Sequence, residues 1–405
     1  MALQIIIIGA GAAGCFAAIE MKRICPENRV TILEKGKRPL AKVSITGGGR
    51  CNLTNSFAEV KTLEHAYPRG HRLMKKLFHQ FSYNDAYQWF EVSGVKLTTQ
   101  EDGCVFPRSQ DAMEIVNNLL WQLRKSGVTI LTEARAEEIK PDGDGYTIVT
   151  NRSEIKADKI VVTTGGLSRG SGYHLLEHLN VEIVPSLPSL FSFCLSDEKI
   201  KALMGTVVKD VVVFLPGTKL KAQGALLITH WGISGPAVLK LSSYAVRVLA
   251  EKNYIADVSI RWLTDDQQEI MSMLSEMADD HRDKKITSVY PAAFNSRLWT
   301  HIVNRSSISP EIRWKDVREK DLHKLLNTLT NDTYQMTGKN RFKEEFVTSG
   351  GVSLKSLHHT TLEAKNHKGL YFAGEVTDVD AITGGFNLQA AWTMGCVAAR
   401  AVCGG

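Results

Sequence analysis

The chain has 405 residues, of which 43% are hydrophobic and 23% charged, and its formal net charge is +6. These proportions fit a globular protein of two or three domains and exclude a disordered or fibrous chain. No apolar run approaches the ~18 residues that cross a bilayer, and the apolar start lacks the flanks of a signal peptide. Seven cysteines without a Cys-x-x-Cys pair argue against a disulfide framework and a zinc site. We therefore expect a cytoplasmic protein without a metal ion.

The first predicted strand, 5–8, consists of four isoleucines and runs into the glycine-rich turn 9–14 and an alanine-rich helix. In this Gly-x-Gly-x-x-Gly pattern, Gly9 permits the turn, Gly11 lets the backbone approach a pyrophosphate, and Gly14 lets helix and strand pack closely. The amide groups at the helix N-terminus offer partial positive charge to that pyrophosphate. The cofactor contacts predicted here are Gly9, Gly11, Ala12, Ala13 and Gly14.

The second predicted strand, 29–33, ends at Glu34, twenty residues beyond Gly14. An acidic residue at that distance accepts hydrogen bonds from an adenosine ribose. Strand, turn, helix and acid together predict a dinucleotide site, and the alternative is a glycine turn without a ligand. Lys35, directly after the acid, is included in the predicted site.

Strand and helix patterns alternate as far as about residue 189, as they do around a parallel sheet. The predicted elements are helices near 71–92 and 111–126 and strands at 128–131, 136–140, 146–150 and 159–163. Further cofactor contacts are expected at Ala136, in the hairpin-like crossover, and at Thr164 and Gly165, after the last of these strands.

From about residue 190 the pattern changes to antiparallel strands and then to charged helices. The predicted strands are 190–195, 206–215, 225–229 and 254–262; the predicted helices lie near 265–280, 287–303 and 319–330; and a strand returns at 346–352. We therefore expect a β domain, 190–263 plus 331–346, with a helical subdomain, 264–330. Both are inserted between the two parts of the first domain, 1–189 and 347–405.

The last part of the chain indicates which dinucleotide binds. The strand 369–372 runs into Gly374 and Glu375, and a helix is predicted from about Leu388 to Val402. A nicotinamide dehydrogenase needs no second strand and helix of this kind. FAD needs both, because a strand and a helix N-terminus must meet its ribityl chain and ring. The partial positive charge of that N-terminus raises the reduction potential of the flavin. The segments look like the two-part FAD domain of the glutathione-reductase superfamily. The expected contacts are Gly374, Glu375, Asp378, Gly385, Asn387 and Leu388; Asp380 is a further candidate, and capping of helices is the alternative role of Asp378 and Asp380.

The segment 42–55, Lys-Val-Ser-Ile-Thr-Gly-Gly-Gly-Arg-Cys-Asn-Leu-Thr-Asn, resembles one family in particular, the BaiN-like (YhiN-like) NAD(P)/FAD-dependent oxidoreductases. Further matches lie at 102–107, 229–236, 349–352 and 374–389, so the resemblance covers nearly the whole chain. It implies an α/β fold: a discontinuous Rossmann-like FAD-binding domain with an inserted β domain and a helical subdomain. It also implies redox chemistry, with reduction of an activated C=C bond in a small molecule as the preferred reaction.

The glycine-rich turn 46–52 is expected to lie near the pyrophosphate and the flavin ring, because three successive glycines suit a backbone that lies against a ligand. Arg50 is a candidate to neutralise phosphate or to stabilise negative charge on the reduced flavin. For Cys51, a packing role is favoured over a thiol that exchanges electrons with flavin, since no second cysteine is suitably spaced. The predicted contacts in this segment are Ser44, Gly47, Gly48, Arg50, Cys51 and Asn52.

His230 lies in the segment 229–236 and is a candidate proton donor to substrate, although a structural role in the loop carries more weight. We expect the inserted domain to cover the flavin ring, with this loop nearest to it. Only one Gly-x-Gly-x-x-Gly follows a strand, so NAD(P)H is expected to bind transiently rather than in a domain of its own.

Two other functions remain open beside hydride transfer through flavin N5 to a small molecule. One is an FAD-dependent enzyme that acts on RNA, favoured by Arg69, Arg72, Lys75 and Lys76 and by a pI of about 8.8. The simpler interpretation of these cations is the solvated face of an amphipathic helix. The other is a flavin-binding protein without turnover. No membrane partner is expected, and the chain is expected to be a monomer or a homodimer.

Overall fold

The computed structural model describes residues 2–166, 174–340 and 347–404. The chain forms two compact units, which we call the sheet unit, Met1–Leu187 with Val347–Gly405, and the barrel unit, Pro188–Phe346. Residues 341–346 of the predicted β domain and the start of the predicted strand 346–352 lie outside the described ranges. Within those ranges, none of the helices combines the length and the apolar character that a membrane crossing requires.

The described residues form strands in five sheets. In chain order the strands are β1 (Gln4–Ile8), β2 (Arg29–Leu33), β3 (Thr54–Asn55), β4 (Leu97–Thr99), β5 (Cys104–Pro107), β6 (Thr129–Leu131), β7 (Ala136–Asp142), β8 (Gly145–Thr150), β9 (Glu154–Ala157), β10 (Lys159–Val162), β11 (Ile183–Ser189), β12 (Phe193–Leu195), β13 (Val207–Phe214), β14 (Lys221–Thr229), β15 (Gly232–Ser234), β16 (Ala256–Arg261), β17 (Asp332–Lys339), β18 (Val347–Val352), β19 (Glu363–Ala364) and β20 (His367–Phe372).

The helices of the same residues vary from a single turn to 17 residues. In chain order they are α1 (Ala12–Ile24), α2 (Thr46–Gly49), α3 (Leu63–Ala66), α4 (His71–Leu77), α5 (Tyr83–Val92), α6 (Ala112–Lys125), α7 (Glu198–Lys201), α8 (Pro236–Tyr244), α9 (Val246–Glu251), α10 (Gln267–Asp280), α11 (Ser296–Arg305), α12 (Glu319–Thr330) and α13 (Phe386–Val402).

The sheet unit is built on a six-stranded sheet of order β19-β20-β10-β1-β2-β6. The pairs from β20 to β6 are parallel, and β19 is an antiparallel edge strand. The isoleucines of β1 are at most 4% exposed, as expected for a strand that is covered on both faces. The chain passes from β1 to β2 on one side and reaches β10 on the other. The carboxyl ends of β1 and β10 therefore flank the point where strand order reverses, which is the usual ligand position in such sheets.

Helices α1 and α13 pack so closely that their backbones approach each other directly. A Cβ atom placed on Gly395 would stand 2.7 Å from the carbonyl oxygen of Ala13, so only glycine fits there. Further along the interface, the ring of Phe16 lies 5.5 Å from that of Trp392, and Phe90 lies 5.3 Å from the same tryptophan. This contact joins the beginning and the end of the chain in one core.

The barrel unit contains a closed six-stranded barrel of order β12-β15-β14-β13-β16-β17. The predicted discontinuous Rossmann-like fold with an inserted β domain is confirmed. Some predicted bounds were wrong: β12 begins at Phe193 rather than 190, because Leu190 has a left-handed φ of 60°. The helix predicted at 287–303 begins at Ser296, where the side chain of Asn295 accepts a hydrogen bond from the Leu298 N–H. Helices α8 and α9 were not predicted.

A buried polar network joins α11 to the wall of the barrel. The carboxylate of Asp332, 3% exposed, accepts hydrogen bonds from the Arg305 guanidinium, the Trp262 indole and the Tyr334 hydroxyl. The ring of His301 lies 3.0 Å from that hydroxyl, and burial lowers the pKa of this histidine. Because Asp332 serves three partners away from water, its loss would leave several buried polar groups unsatisfied.

Replacing Asp332 by asparagine should therefore lower the free energy of unfolding by ~3–5 kcal/mol, the usual result of breaking a buried ion pair on one side. The measurement is urea denaturation followed by circular dichroism. Asp283→Asn is the matched control, because that carboxylate is 79% exposed and pairs with Lys315 at the surface. Equal losses in the two variants would contradict a structural role for the network.

Candidate functional site

The turn between β1 and α1 contains two glycines that packing requires and one that it does not. Gly9 has a φ of 109°, and a Cβ atom there would stand 2.4 Å from the carbonyl oxygen of Thr163. A Cβ atom on Gly14 would stand 2.1 Å from the carbonyl oxygen of Gly9. A Cβ atom on Gly11 would meet nothing within 4 Å. Gly11 thus borders open space that a ligand could fill.

Helix α1 begins beside that space without a capping side chain. Gly11 stands at the N-cap position, and the first turn contains no acidic residue. Ala12, half-buried, and Ala13, buried, are the first helical residues. Since the first amide groups of a helix have no partner within it, they present hydrogen-bond donors and partial positive charge to the space beside Gly11.

Glu34 is held by backbone amides on both of its carboxylate oxygens. Oε2 accepts a hydrogen bond from the Ala10 N–H at 2.9 Å, and Oε1 accepts one from the Gly36 N–H at 2.7 Å. This places the carboxylate beside the glycine turn, and its oxygens have further lone pairs for ribose hydroxyls. Lys35 is exposed.

Ala134, which the sequence did not single out, lies beside the predicted contact Glu34, and Ala136 stays a predicted contact. The Ala134 N–H donates to the carbonyl oxygen of Glu34 at 2.9 Å, whereas Ala136 lies in β7, paired with Thr150. Ala136 packs against a hydrophobic cluster that includes Ala134. Only the β2–β6 pairing could have identified Ala134, because that register brings the residues after β6 next to Glu34.

The carboxyl ends of β10 and β20 meet around Glu375. Its Oε2 lies 2.9 Å from Lys42 Nζ, and its Oε1 accepts a hydrogen bond from the Thr348 N–H at 2.8 Å. Gly165, with a φ of 76°, follows β10, and a Cβ atom there would stand 3.6 Å from the Glu375 carboxylate. Lys42 and Thr348 are therefore two further candidate residues that sequence reasoning missed.

One position near this point matches a ligand site, and a second is a glycine that packing against α1 requires. The hydroxyl oxygen of Thr164 is buried and has no hydrogen-bond partner in the parts of the chain that the structure describes. Gly374 has a φ of 81°, and a Cβ atom there would stand 2.9 Å from the Cβ of Ala13. The predicted Thr164, Gly374 and Ala13 thus lie at the same edge of the sheet, at the start of α1.

The two aspartates after Glu375 have different surroundings. The Asp378 N–H donates to the carbonyl oxygen of Val352. Asp380, 1% exposed on its side chain, forms an ion pair with Arg69, whose Nε lies 2.5 Å from Oδ1. The structure thus gives Asp380 a structural ion pair, and its role at the cofactor stays a prediction. Arg69 in turn is not part of the solvated basic face.

Helix α13 begins at Phe386, two residues before the predicted start. Gly385, with a φ of 88°, stands at the N-cap, without a capping side chain or an acidic first turn. The Asn387 side chain shapes the preceding loop, because it accepts from the Ala381 N–H at 2.9 Å and donates to the Ala381 carbonyl at 3.0 Å. The backbone amides of the first turn, including those of Asn387 and Leu388, therefore have no partner within the helix.

The segment 51–55 holds the N-terminus of α13 in place. In the orientation that satisfies both of its groups, the Asn52 amide accepts from the Gly385 N–H at 3.2 Å. The Asn55 amide donates to the Gly384 carbonyl at 3.0 Å. Asn52 was predicted as a direct cofactor contact, and what the structure shows is that its side chain fixes the turn before this helix.

Cys51 is fully buried in this segment. Burial raises the pKa of its thiol to about 12, so the reactive thiolate is scarce near neutral pH. This agrees with the favoured packing role and not with an exchange of electrons with flavin. All seven cysteines are free.

The three glycines before Arg50 adopt successive left-handed conformations, with φ of 59°, 68° and 84° at Gly47, Gly48 and Gly49. Such a run is accessible to glycine alone at low cost. Cβ atoms on Gly48 and Gly49 would meet nothing within 4 Å. The Arg50 guanidinium lies 4.4 Å from the ring centre of Phe106, exposed to solvent. The Ser44 hydroxyl donates to the Ala41 carbonyl.

His230 belongs to the barrel unit and is exposed in the turn between β14 and β15, edge-on to Trp231. Close contacts within the barrel unit account for the two glycines of this loop. A Cβ atom on Gly232 would stand 2.3 Å from the Phe193 carbonyl oxygen, and one on Gly235 would stand 2.8 Å from that of Ala225. An approach of the loop to a flavin stays a prediction.

Taken together, the edge of the six-stranded sheet has the features that an extended dinucleotide requires. It has open space at Gly11, the uncapped N-terminus of α1, a fixed carboxylate at Glu34 and an unpaired hydroxyl at Thr164, and the N-terminus of α13 is likewise uncapped. Among the residues that the structure describes, no cluster of three His, Cys, Asp or Glu side chains could hold a metal ion. The arrangement fits an organic cofactor with a pyrophosphate.

Comparison with curated proteins gives relatives over nearly the full length. The chain is 30% identical to the ribosomal RNA dihydrouridine synthase of Escherichia coli strain K12, over 96% of this chain and 95% of that protein. It is 29% identical to the 3-dehydro-bile acid delta(4,6)-reductase of Clostridium scindens, over 98% of each chain. The ribosomal RNA dihydrouridine synthase of Haemophilus influenzae is 27% identical over 96% of this chain and 95% of its own.

Solved structures show the same fold at much lower identity. The FrdA subunit of Escherichia coli quinol fumarate reductase matches all of this chain and 70% of its own, with a TM-score of 0.52 and 13% identity. The 3-ketosteroid delta1-dehydrogenase of Sterolibacterium denitrificans matches all of this chain and 99% of its own, with a TM-score of 0.52 and 10% identity. These similarities establish the fold alone.

A family model decides the assignment. The model described as the HI0933-like protein Rossmann domain matches residues 3–401. The match confirms the resemblance to BaiN-like (YhiN-like) proteins that the sequence motifs indicated. Because it spans nearly all of the sequence, the chain belongs to the HI0933-like family of oxidoreductases, which have the Rossmann-like fold of flavoproteins.

Proposed function

We propose that this enzyme binds FAD and reduces a carbon–carbon double bond conjugated to a carbonyl group. The observation that carries the cofactor part of the proposal is the open space at Gly11, beside the uncapped N-terminus of α1. The names of the two kinds of relative support the reaction. Dihydrouridine is uridine with its C5=C6 bond saturated, and a delta(4,6)-reductase acts on C=C bonds; in a uracil and in a 3-oxo-4,6-diene alike, the bond is conjugated to a carbonyl.

In this proposal each part of the site has one task. The β1–α1 turn and the first turn of α1 bind the pyrophosphate. The carboxylate of Glu34 accepts hydrogen bonds from the adenosine ribose. The amides at the start of α13 stabilise negative charge at the isoalloxazine edge, with Asn52 holding that turn. When bound, the reduced flavin supplies a hydride from N5.

The overall reaction needs a reductant and a proton. NAD(P)H is the proposed reductant: it loses a hydride and becomes NAD(P)⁺, and the two electrons end in the new C–H bond of the substrate. The carbon next to the carbonyl takes a proton. His230 is the candidate donor of that proton, because it is an exposed histidine in a motif segment that the family resemblance singled out.

Two substrates fit the proposed reaction. The sequence favoured a small-molecule enone, in line with the bile acid reductase among the relatives. A uracil in RNA is the other candidate, and two relatives named for ribosomal RNA favour it. Arg72, Lys75 and Lys76 on α4 are exposed cations that could contact phosphates. We therefore place RNA first of the two.

The purified protein should be yellow, and denaturation should release FAD rather than FMN, because Glu34 lies where an adenosine ribose is expected. Under anaerobic conditions NADH or NADPH should bleach the visible flavin band. An unmodified ribosomal RNA transcript or a steroid dienone should restore that band, and mass spectrometry should find two added hydrogens in the product. A colourless protein that takes up no FAD would contradict the central claim.

The Gly11→Val variant should fold and lose FAD. A side chain at this position meets no protein atom, but it fills the space assigned to the pyrophosphate. Gly14→Val is the matched control, because its side chain would collide with the Gly9 carbonyl and disrupt the fold itself. The measurements are circular dichroism and FAD content. Retention of FAD at the parent's affinity in a folded Gly11→Val protein would show that the turn binds no pyrophosphate.

The His230→Ala variant should turn over substrate more slowly while FAD content and the visible spectrum stay unchanged. Loss of a general acid typically costs ~10²–10⁴-fold in rate. His323→Ala is the matched control, since His323 is exposed on α12 of the same unit. Steady-state kinetics across pH would separate a proton donor from a packing residue. Unchanged turnover in His230→Ala would assign this histidine to the loop.

A further inference from the structure

A cleft with both aromatic and polar side chains lies in the sheet unit between α5 and the small sheet of β3, β4 and β5. Its volume is about 260 Å³. The lining includes Asn55, Ser56, Tyr83, Asn84, Tyr87 and Thr99, and it contains no charged side chain. A cleft of this composition is suited to an uncharged planar ring with hydrogen-bonding edges rather than to a phosphate or a metal ion.

Three polar side chains of the cleft, those of Tyr83, Asn84 and Tyr87, are available for a ligand. Within the described parts of the chain, the structure gives no hydrogen-bond partner to the hydroxyls of Tyr83 and Tyr87 or to the amide of Asn84. Tyr83 and Tyr87 are four residues apart in α5 and therefore share one face of the helix. The ring of Tyr83 is stacked on Phe57, with ring centres 4.6 Å apart, so its position is fixed in advance.

The cleft is connected to the candidate cofactor site through Asn55. This residue lines the cleft, and its amide also donates to the carbonyl oxygen of Gly384. Gly384 directly precedes Gly385, the N-cap of α13. A ligand in the cleft would therefore sit against the residue that holds the turn before the helix assigned to the flavin edge.

We propose that this cleft binds one unpaired base of an RNA substrate, next to the nucleotide that is reduced. The inference rests on the proposed function with RNA as the substrate. Proteins read single-stranded RNA by stacking bases on aromatic rings and by hydrogen bonds to base edges. Tyr87 offers the ring, and the Asn84 amide offers both a donor and an acceptor.

The test uses the purified holoenzyme and a fluorescein-labelled single-stranded oligouridine, with binding followed by fluorescence anisotropy. Tyr87→Ala should weaken binding by about 5- to 150-fold, as expected for the loss of one base–aromatic stack. Tyr87→Phe should bind nearly as well as the parent, because the ring is kept. Trp121→Ala is the matched control: this exposed aromatic lies on α6, outside the cleft.

Asn84→Ala provides a second variant at an exposed position in case Tyr87→Ala does not fold, and FAD content reports folding in each protein. Equal affinity of the parent, Tyr87→Ala and Asn84→Ala would overturn the inference, as would equal losses in Tyr87→Ala and Trp121→Ala. An oligouridine that the parent does not bind would also overturn it. That result would leave the proposed reductase intact, because reoxidation of the reduced enzyme by a dienone tests the reaction separately.

Discussion

The candidate cofactor site depends on the close approach of α1 to the strands β1 and β10. A Cβ atom on Gly14 would lie 2.1 Å from the Gly9 carbonyl and 2.5 Å from the Thr163 hydroxyl, so the helix can reach this position only with glycine there. The same approach brings the first turn of α1 to the edge where β1 and β10 separate. Gly9 and Gly14 fix the backbone on either side of Gly11, which itself borders open space.

The second half of the site is held by residues that are distant in sequence. The Thr54 hydroxyl donates to Gln389 at 2.6 Å, and the Trp392 indole donates to the Leu53 carbonyl at 3.0 Å. Both hydrogen bonds are buried. A buried polar group without a partner lowers stability by more than a formed hydrogen bond adds to it. The segment after the triple glycine is therefore a support for α13, which explains why small and amide side chains occupy it even where they meet no ligand.

The sequence was sufficient to predict the elements and residues that depend on local contacts. Four isoleucines, a glycine turn and an acid at fixed spacing predict β1, α1 and Glu34, because each follows from backbone geometry within about thirty residues. It was insufficient where the partner is remote. The Arg69–Asp380 ion pair, the bond from Ala134 to Glu34 and the closure of the barrel through β12 and β17 all depend on pairing registers between distant segments. A motif residue such as Asn52 looks the same whether it touches a ligand or another helix.

The way helices begin distinguishes the two helices of the candidate cofactor site from the others. Among the described helices of ten residues or more, α5, α6, α10 and α11 have a capping side chain, and α12 has acidic residues in its first turn. Helices α1 and α13 have neither, and both follow glycine. With glycine at the N-cap, the missing side-chain cap costs about a few tenths of a kcal/mol. Open N-termini suit the proposed cofactor, because its oxygens can take the place of the caps.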